Sequence, residues 1–213
     1  MASARVSEGE MEAVANICRW ARRSGMLERV EVLGFDDGHT SVDWITSCGG
    51  VRMNLLCKGS ERHCMGQLGK TVEEHAADIR ATIDYAHAQG VGVNVYLEDW
   101  SNGIRQSPQY VFDLMDALQG CGIDRFMLPD TLGVMNPLEL VGCMEQMVKR
   151  YPALHFDFHA HNDYDLAIAN VMAAVHSGAR GIHTSVNVLG ERSGNAPLAS
   201  AQAMLKDPFQ DIN

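Results

Sequence analysis

His155-Phe-Asp-Phe-His-Ala-His-Asn-Asp163 reads as a short strand running into a loop. Phe156 and Phe158 alternate with His155, Asp157, His159 and His161. Side chains two apart on a strand share one face, about 6.6 Å apart along it. The two phenylalanines belong on the opposite face, under helices. His159 and His161 then project together at the strand's carboxyl end, where two imidazoles can bind one divalent cation. A His-x-His pair also suits two histidines of purely structural role, so the surrounding chain decides between the readings.

Outward from this stretch, β-rich runs alternate with amphipathic helical runs. Strands are expected at residues 30–35, 51–57, 91–97, 124–128, 155–161 and 181–188. A helix over 10–24 places Met11, Val14, Ala15, Cys18 and Ala21 on one face, and Gly25 ends it. Thr71-Val-Glu-Glu74 is a capping box opening a helix that carries Val72, Ala76, Ile79 and Ile83 inward and stops at Gly90. Ser107-Pro108 and Asn136-Pro137 are cap-plus-proline starts for helices ending near Gly120 and Arg150. Residues 165–177 form an alanine-rich helix closed by Gly178, and a last helix starts near Ala196. Strand–helix alternation of this kind makes a parallel sheet with helical crossovers.

Both a doubly wound sheet and a (β/α)8 barrel have that pattern. Polar clusters follow nearly every strand: Asp36-Asp37, Lys58-Gly-Ser60, Glu98-Asp99, Asp130-Thr131, residues 159–163 and residues 191–195. A barrel gathers all such loops at one mouth, whereas an open sheet spreads them along an edge. No Gly-x-Gly-x-x-Gly follows the first strand, which weakens the dinucleotide-binding alternative. The expected fold is α/β, a TIM (β/α)8-type barrel, as one partial catalytic domain over residues 1–213. Six strands fall short of eight, so the first strands are expected to lie before residue 1, with Ala2-Ser-Ala-Arg5 as the end of one of them.

Bulk properties narrow the classes of partner. The net charge of −10 argues against nucleic acid or an anionic membrane. Hydrophobic residues at 46% and charged residues at 21% are ordinary for a soluble globular chain. Six cysteines without a Cys-x-x-Cys pair suggest neither a zinc site nor a disulfide framework, so reduced thiols in a cytoplasmic protein are expected. No apolar run approaches the roughly 20 residues of a membrane span, and the amino terminus has no apolar signal core.

The loop Leu189-Gly-Glu-Arg-Ser-Gly-Asn-Ala196 follows the last strand. Asn195 offers a carbonyl oxygen suited to Mg²⁺, Mn²⁺ or Zn²⁺ beside imidazole. Alternatively Gly190 and Gly194 make turns and Asn195 caps the next helix, with Pro197 in its first turn.

These two motifs together, His159-Ala-His161-Asn-Asp163 and Gly190-Glu-Arg-x-Gly-Asn195, resemble the DRE-TIM metallolyase family. That family holds the isopropylmalate, homocitrate and citramalate synthases and hydroxymethylglutaryl-CoA lyase. Asp130-Thr-x-Gly133 with Pro137, Glu98-Asp99, and Ser60-x-x-His63 with Leu68 and Thr71-x-Glu-Glu74 resemble further motifs of the family. The resemblance implies that His159, His161 and Asn195 bind a divalent metal. It places Glu98 and Thr131 near the reacting acetyl group and keto acid, and His63 and Asp130 in the substrate pocket. The implied reaction is a Claisen condensation of acetyl-CoA with a 2-oxo acid. There a metal polarises the ketone, and polar donors hold the thioester enolate. Glu191-Arg192 follows the synthase version of the last motif, and a lyase or aldolase running the chemistry backward is the alternative within the family. Outside it, the alternative is a metal-binding segment without turnover.

Two departures stand out. The family's first-strand signature with its aspartate ligand is absent, and Val188 stands where the family often has glycine. For single residues the blander readings stay open: Glu98 pairing with Arg105, Thr131 capping a loop, His63 solvated. Asp157 is either a partner orienting a ligand histidine or a buried polar group of the interior. His155, His176 and His183 are read as structural. Lys58, Arg62 and Lys70 either meet CoA phosphates or form a solvated helix start. The unpaired edges of an incomplete barrel invite association, so a homo-oligomer is expected.

Overall fold

The computed structural model describes residues 7–206, so the expected strand end at residues 2–5 lies outside the described residues. Six strands form one parallel sheet in the order β1-β2-β3-β4-β5-β6. Every strand therefore pairs with its neighbour in sequence. A doubly wound sheet reverses its order at a switch point; none occurs here, and the topology is of the barrel type. By contacts the chain divides into two compact units, residues 1–96 with 112–124, and residues 97–111 with 125–213.

The first unit opens with α1 (Glu8–Arg23), capped by Ser7, whose Oγ accepts the Glu10 N–H at 3.2 Å. β1 (Val32–Phe35) and β2 (Arg52–Lys58) flank α2 (Thr40–Ser47), and Val32 pairs with Met53. A short turn, α3 (Glu61–His63), runs into a π-turn, Cys64–Leu68, that ends on left-handed Gly69. α4 (Val72–Ala88) has the expected capping box between Thr71 and Glu74. Its inward stripe of Ala76, Ile79 and Ile83 is completely buried. Sequence periodicity did not include His75 in that stripe, yet its side chain is only 1% exposed. The imidazole is held there by the Lys58 N–H, which donates to Nε2 at 3.0 Å, and it faces Asp36 at 3.7 Å. Burial, with the nearby Lys70 charge, pushes the His75 pKa down from 6.5 to about 4.

β3 (Gly92–Glu98) begins in the first unit and ends in the second, where α5 (Trp100–Gln106) follows and α6 (Pro108–Leu118) begins. Most of β4 (Ile123–Asp130), then α7 (Pro137–Arg150), β5 (Phe156–Ala160), α8 (Ala167–His176), β6 (Gly181–His183) and α9 (Leu198–Lys206) complete the second unit. Phe156 and Phe158 are buried at 1% and 0% exposure, which is the two-faced β5 expected from alternation. Asn136 starts α7 with a full capping box: its Oδ1 accepts the N–H groups of Leu138 and Glu139, and the Glu139 carboxylate accepts the Asn136 N–H. Asn136→Ala is expected to cost about 1 kcal/mol, a fall of about 2–4 °C in melting temperature. A calorimetric melt of variant against parent reads it.

The last strand corrects an expectation. It ends at His183, not at residue 188, and Val186–Val188 form a 3-10 turn. Asn187 and Val188 have φ of 54° and 62°, in the left-handed region where no ladder can continue. The position at which the family often carries glycine is thus one whose backbone favours glycine. A β-branched valine there is strained by about 1–2 kcal/mol. Among the described residues no helix is long and apolar enough to cross a membrane.

Candidate metal site

His159 is the last but one residue of β5, on the face opposite Phe158, and His161 follows just beyond the strand. Their rings meet edge to face with centroids 5.0 Å apart. Asn195 is brought opposite His161 by a short antiparallel bridge. Two main-chain bonds close it: the Asn162 N–H donates to the Gly194 carbonyl at 2.9 Å, and the Ala196 N–H to the Ala160 carbonyl at 3.1 Å. The three expected ligands therefore come together through backbone pairing. The Asn195 amide donates to the Leu189 carbonyl at 3.4 Å. Its Oδ1 is buried and accepts no hydrogen bond, and neither does the buried His161 Nδ1.

A buried polar atom without a partner costs about 1–3 kcal/mol, and a cation would satisfy both atoms. Imidazole nitrogen and amide oxygen form a donor set accepted by Mg²⁺, Mn²⁺ and Zn²⁺ alike. These residues fit such an ion, although among the described residues no three His, Cys, Asp or Glu side chains cluster to hold one. Ligand histidines must be neutral. Burial, then the His183 and His161 charges, push the His159 pKa down to about 3. Burial and the Arg192 charge lower His161 as well, against the opposing pull of Glu191, Asp163 and Asp130.

Three loops make the cradle. Arg192 grips Asp163 with two bonds, Nε to Oδ1 at 2.7 Å and a terminal nitrogen to Oδ2 at 2.8 Å, and also donates to the Thr131 carbonyl at 2.8 Å. That pairing holds the Asp163 carboxyl below the usual carboxylate range. The Tyr164 N–H donates to the Gly133 carbonyl at 3.2 Å. A Cβ on Gly133, whose φ is 61°, would stand 2.7 Å from the Asp163 amide nitrogen, so this glycine permits the contact between loops. In the sequence Arg192 stands out only as part of the Gly190-Glu-Arg motif, with no structural role assigned to it. Its partners lie 29 and 61 residues away.

Thr131 Oγ1 accepts the N–H of Asp99 at 2.8 Å, just past Glu98 at the end of β3, and Asp99 itself has a φ of 65°. Asp130 is fully buried, and its two carboxylate oxygens accept the N–H groups of Val134 and Met135 at 3.2 and 3.0 Å. In this arrangement both residues shape the loop after β4. Arg105 pairs with Glu139 at 3.6 Å. His63 belongs to the first unit, where its N–H donates to Ser60 Oγ at 3.3 Å. Asp157 bonds neither candidate ligand, His159 nor His161. Its carboxylate bonds Arg125, His155 and His183.

The two glycines beside Asn195 serve different ends. A Cβ on Gly190 would sit 2.8 Å from the Asn195 amide, the movable end of a side chain. A Cβ on Gly194, whose φ is 87°, would sit 2.1 Å from the Val188 carbonyl oxygen. Gly194→Ala is therefore expected to cost at least about 2 kcal/mol. Gly190→Ala is expected to cost less than about 1 kcal/mol while turning Asn195 away. Chemical denaturation of the two variants side by side reads the contrast.

The HMGL-like family model matches residues 1–209 of the chain. A homocitrate synthase from Sulfolobus acidocaldarius is 38% identical over 150 residues, which is 70% of this chain and 31% of that one. A probable 2-isopropylmalate synthase from Ignicoccus hospitalis is 31% identical over 201 residues, 94% of this chain and 48% of that one. The chain thus spans about a third to a half of the length of these relatives. Among solved structures, the HMG-CoA lyase of Bacillus subtilis superposes with a TM-score of 0.72 at 23% identity, covering 83% of this chain and 61% of that one. That likeness bears on the fold.

Proposed function

The chain belongs to the HMGL-like family, and from that premise we propose that it carries the site of a 2-alkylmalate-forming acyltransferase of the homocitrate and isopropylmalate synthase kind. The reaction joins acetyl-CoA, a 2-oxo acid and water to give a 2-alkylmalate and free CoA. His159, His161 and Asn195 hold the divalent cation, Mg²⁺, Mn²⁺ or Zn²⁺. One observation carries the reading: two ligand-type atoms, His161 Nδ1 and Asn195 Oδ1, are buried without hydrogen-bond partners on residues that the backbone pins opposite one another. The synthase relatives, at 31–38% identity, favour synthesis over cleavage.

When bound, the cation supplies a Lewis acid for the ketone and carboxylate of the 2-oxo acid. The chain's own residues supply the rest. Neutral His159 and His161 keep their lone pairs available, and the bridge between His161 and Asn195 fixes their separation before any ligand arrives. Arg192 ties together the loops that bear them, through Asp163 and Thr131. Asp130 holds the loop that carries Thr131. Glu98 and Thr131 lie at the ends of β3 and β4, where a hydroxyl and a carboxylate can orient the acetyl group and exchange protons with it.

The test is release of CoA thiol. The purified chain, with Mn²⁺ or Mg²⁺, acetyl-CoA and a panel of 2-oxo acids, should release thiol with one of the acids and lose that activity with chelator. Thiol release without any 2-oxo acid, or none with every acid despite bound Mn²⁺, would overturn the synthase reading. The latter outcome would leave a metal-binding segment.

A further inference from the structure

The cluster around Asp157 has no task in the chemistry proposed above. Asp157 is 1% exposed, and its carboxylate bonds Arg125 at 2.9 Å, His155 Nε2 at 2.8 Å and His183 Nε2 at 3.4 Å. The parallel register sets Asp157 beside Gly181 and His159 beside His183. A Cβ at position 181 would lie 2.1 Å from Asp157 Oδ1. The carboxylate thus fills space that any other residue at 181 would occupy, and acid and glycine are matched across two strands.

One rung further along, the His183 ring stands edge to face against His159, with centroids 5.6 Å apart and planes at 65°. His159 in turn meets His161 at 5.0 Å and 73°. Ring contacts therefore run from the buried carboxylate, through His183, to the candidate ligand. A histidine side chain turns about two torsions, and a cation needs both imidazoles aimed at once. Groups that fix that aim without touching the ion set its affinity.

We propose that Asp157 and His183 are positioning residues for His159: the buried carboxylate holds the His183 ring, and that ring sets the edge-on orientation in which His159 presents its nitrogen to a divalent cation. The inference rests on the metal reading above and extends it to the layer beneath the ligands.

Mn²⁺ titrated directly into the full chain tests it, by calorimetry and by electron paramagnetic resonance that counts coupled imidazole nitrogens. Loss of binding in His161→Ala establishes the site, whereas unchanged binding there overturns the metal reading and the pairing with it. Asp157→Asn and His183→Leu are expected to weaken Mn²⁺ binding by about 10-fold to 100-fold. Each should lose one of two nitrogen couplings at an unchanged circular dichroism spectrum. His183→Gln, whose amide can still donate to Asp157 but which offers no ring to His159, should weaken binding as His183→Leu does. Parental affinity with both nitrogens retained in Asp157→Asn and His183→Leu, while His161→Ala loses the metal, would overturn the pairing alone. The His183 side chain is 21% exposed, so its variants decide between these outcomes should the buried Asp157 substitution impair folding.

Discussion

His161→Ala is expected to abolish measurable Mn²⁺ binding and to lower turnover by about 10³-fold or more, while the fold survives. The separation of the two effects follows from the surroundings of the side chain. His161 is 9% exposed, and its Nδ1 makes no hydrogen bond. Truncation therefore strands no partner, and removes an atom that was itself costly to bury. The bridge to Asn195 uses main-chain groups only, and alanine preserves them. A Lewis acid contributes several kcal/mol to such a reaction, and about 4 kcal/mol corresponds to about 10³-fold in rate. Thiol release and titration calorimetry measure the two quantities, and thermal unfolding in chelator measures the third. Turnover within about tenfold of the parent would remove His161 from the ligand set.

The largest expected effect on stability is a dependence on pH carried by His75. In the folded chain its pKa is about 4, against 6.5 for an unperturbed imidazole. Between those values the unfolded chain binds a proton that the folded chain refuses, so stability falls as the solution is acidified through that window. Above about pH 7 the full contribution is present, and below about pH 4 the loss is complete. The gap corresponds to about 3 kcal/mol. Protonation would also break the bond from the Lys58 N–H to Nε2. Asp36, which faces His75, has its carboxyl raised, mainly by burial, and so acts in the opposite sense. His75→Gln isolates the histidine: the difference in unfolding free energy between parent and variant should shift by about 2–3 kcal/mol in the parent's disfavour from pH 8 to pH 4.5. A difference that stays constant would show that the folded chain accepts the proton freely.

Much of the architecture was legible in the amino-acid sequence. Six strands, the capping box at Thr71 and the proline-led starts at Pro108 and Pro137 rest on local rules of period and capping, and they hold. The placing of His159 and His161 side by side was legible because strand alternation is equally local. What escaped depends on neighbours distant in sequence. His75 was not among the inward residues that periodicity picks out, and only the Lys58 amide and Asp36 explain its burial. Arg192 looked like part of a motif, and only its grip on Asp163 and Thr131 shows what it does. The last strand was read as too long because valine and asparagine tell nothing of a left-handed backbone, which the surrounding turn imposes on Asn187 and Val188.

The order of the sheet bears on how the chain acquires its structure. Because each strand pairs with the one before it, a growing chain can add strands in the order of synthesis, one helical crossover at a time. Each parallel pairing still spans a whole crossover, so it is non-local and slower to form than a helix-helix contact. The candidate ligand set does not share that timing. His159 is in place with β5, but Asn195 reaches His161 only after β6, the left-handed turn and the start of α9 have formed. The candidate site is therefore a late-forming part of the second unit, and on the proposed metal reading a nascent chain holds no cation until the scaffold beneath is finished.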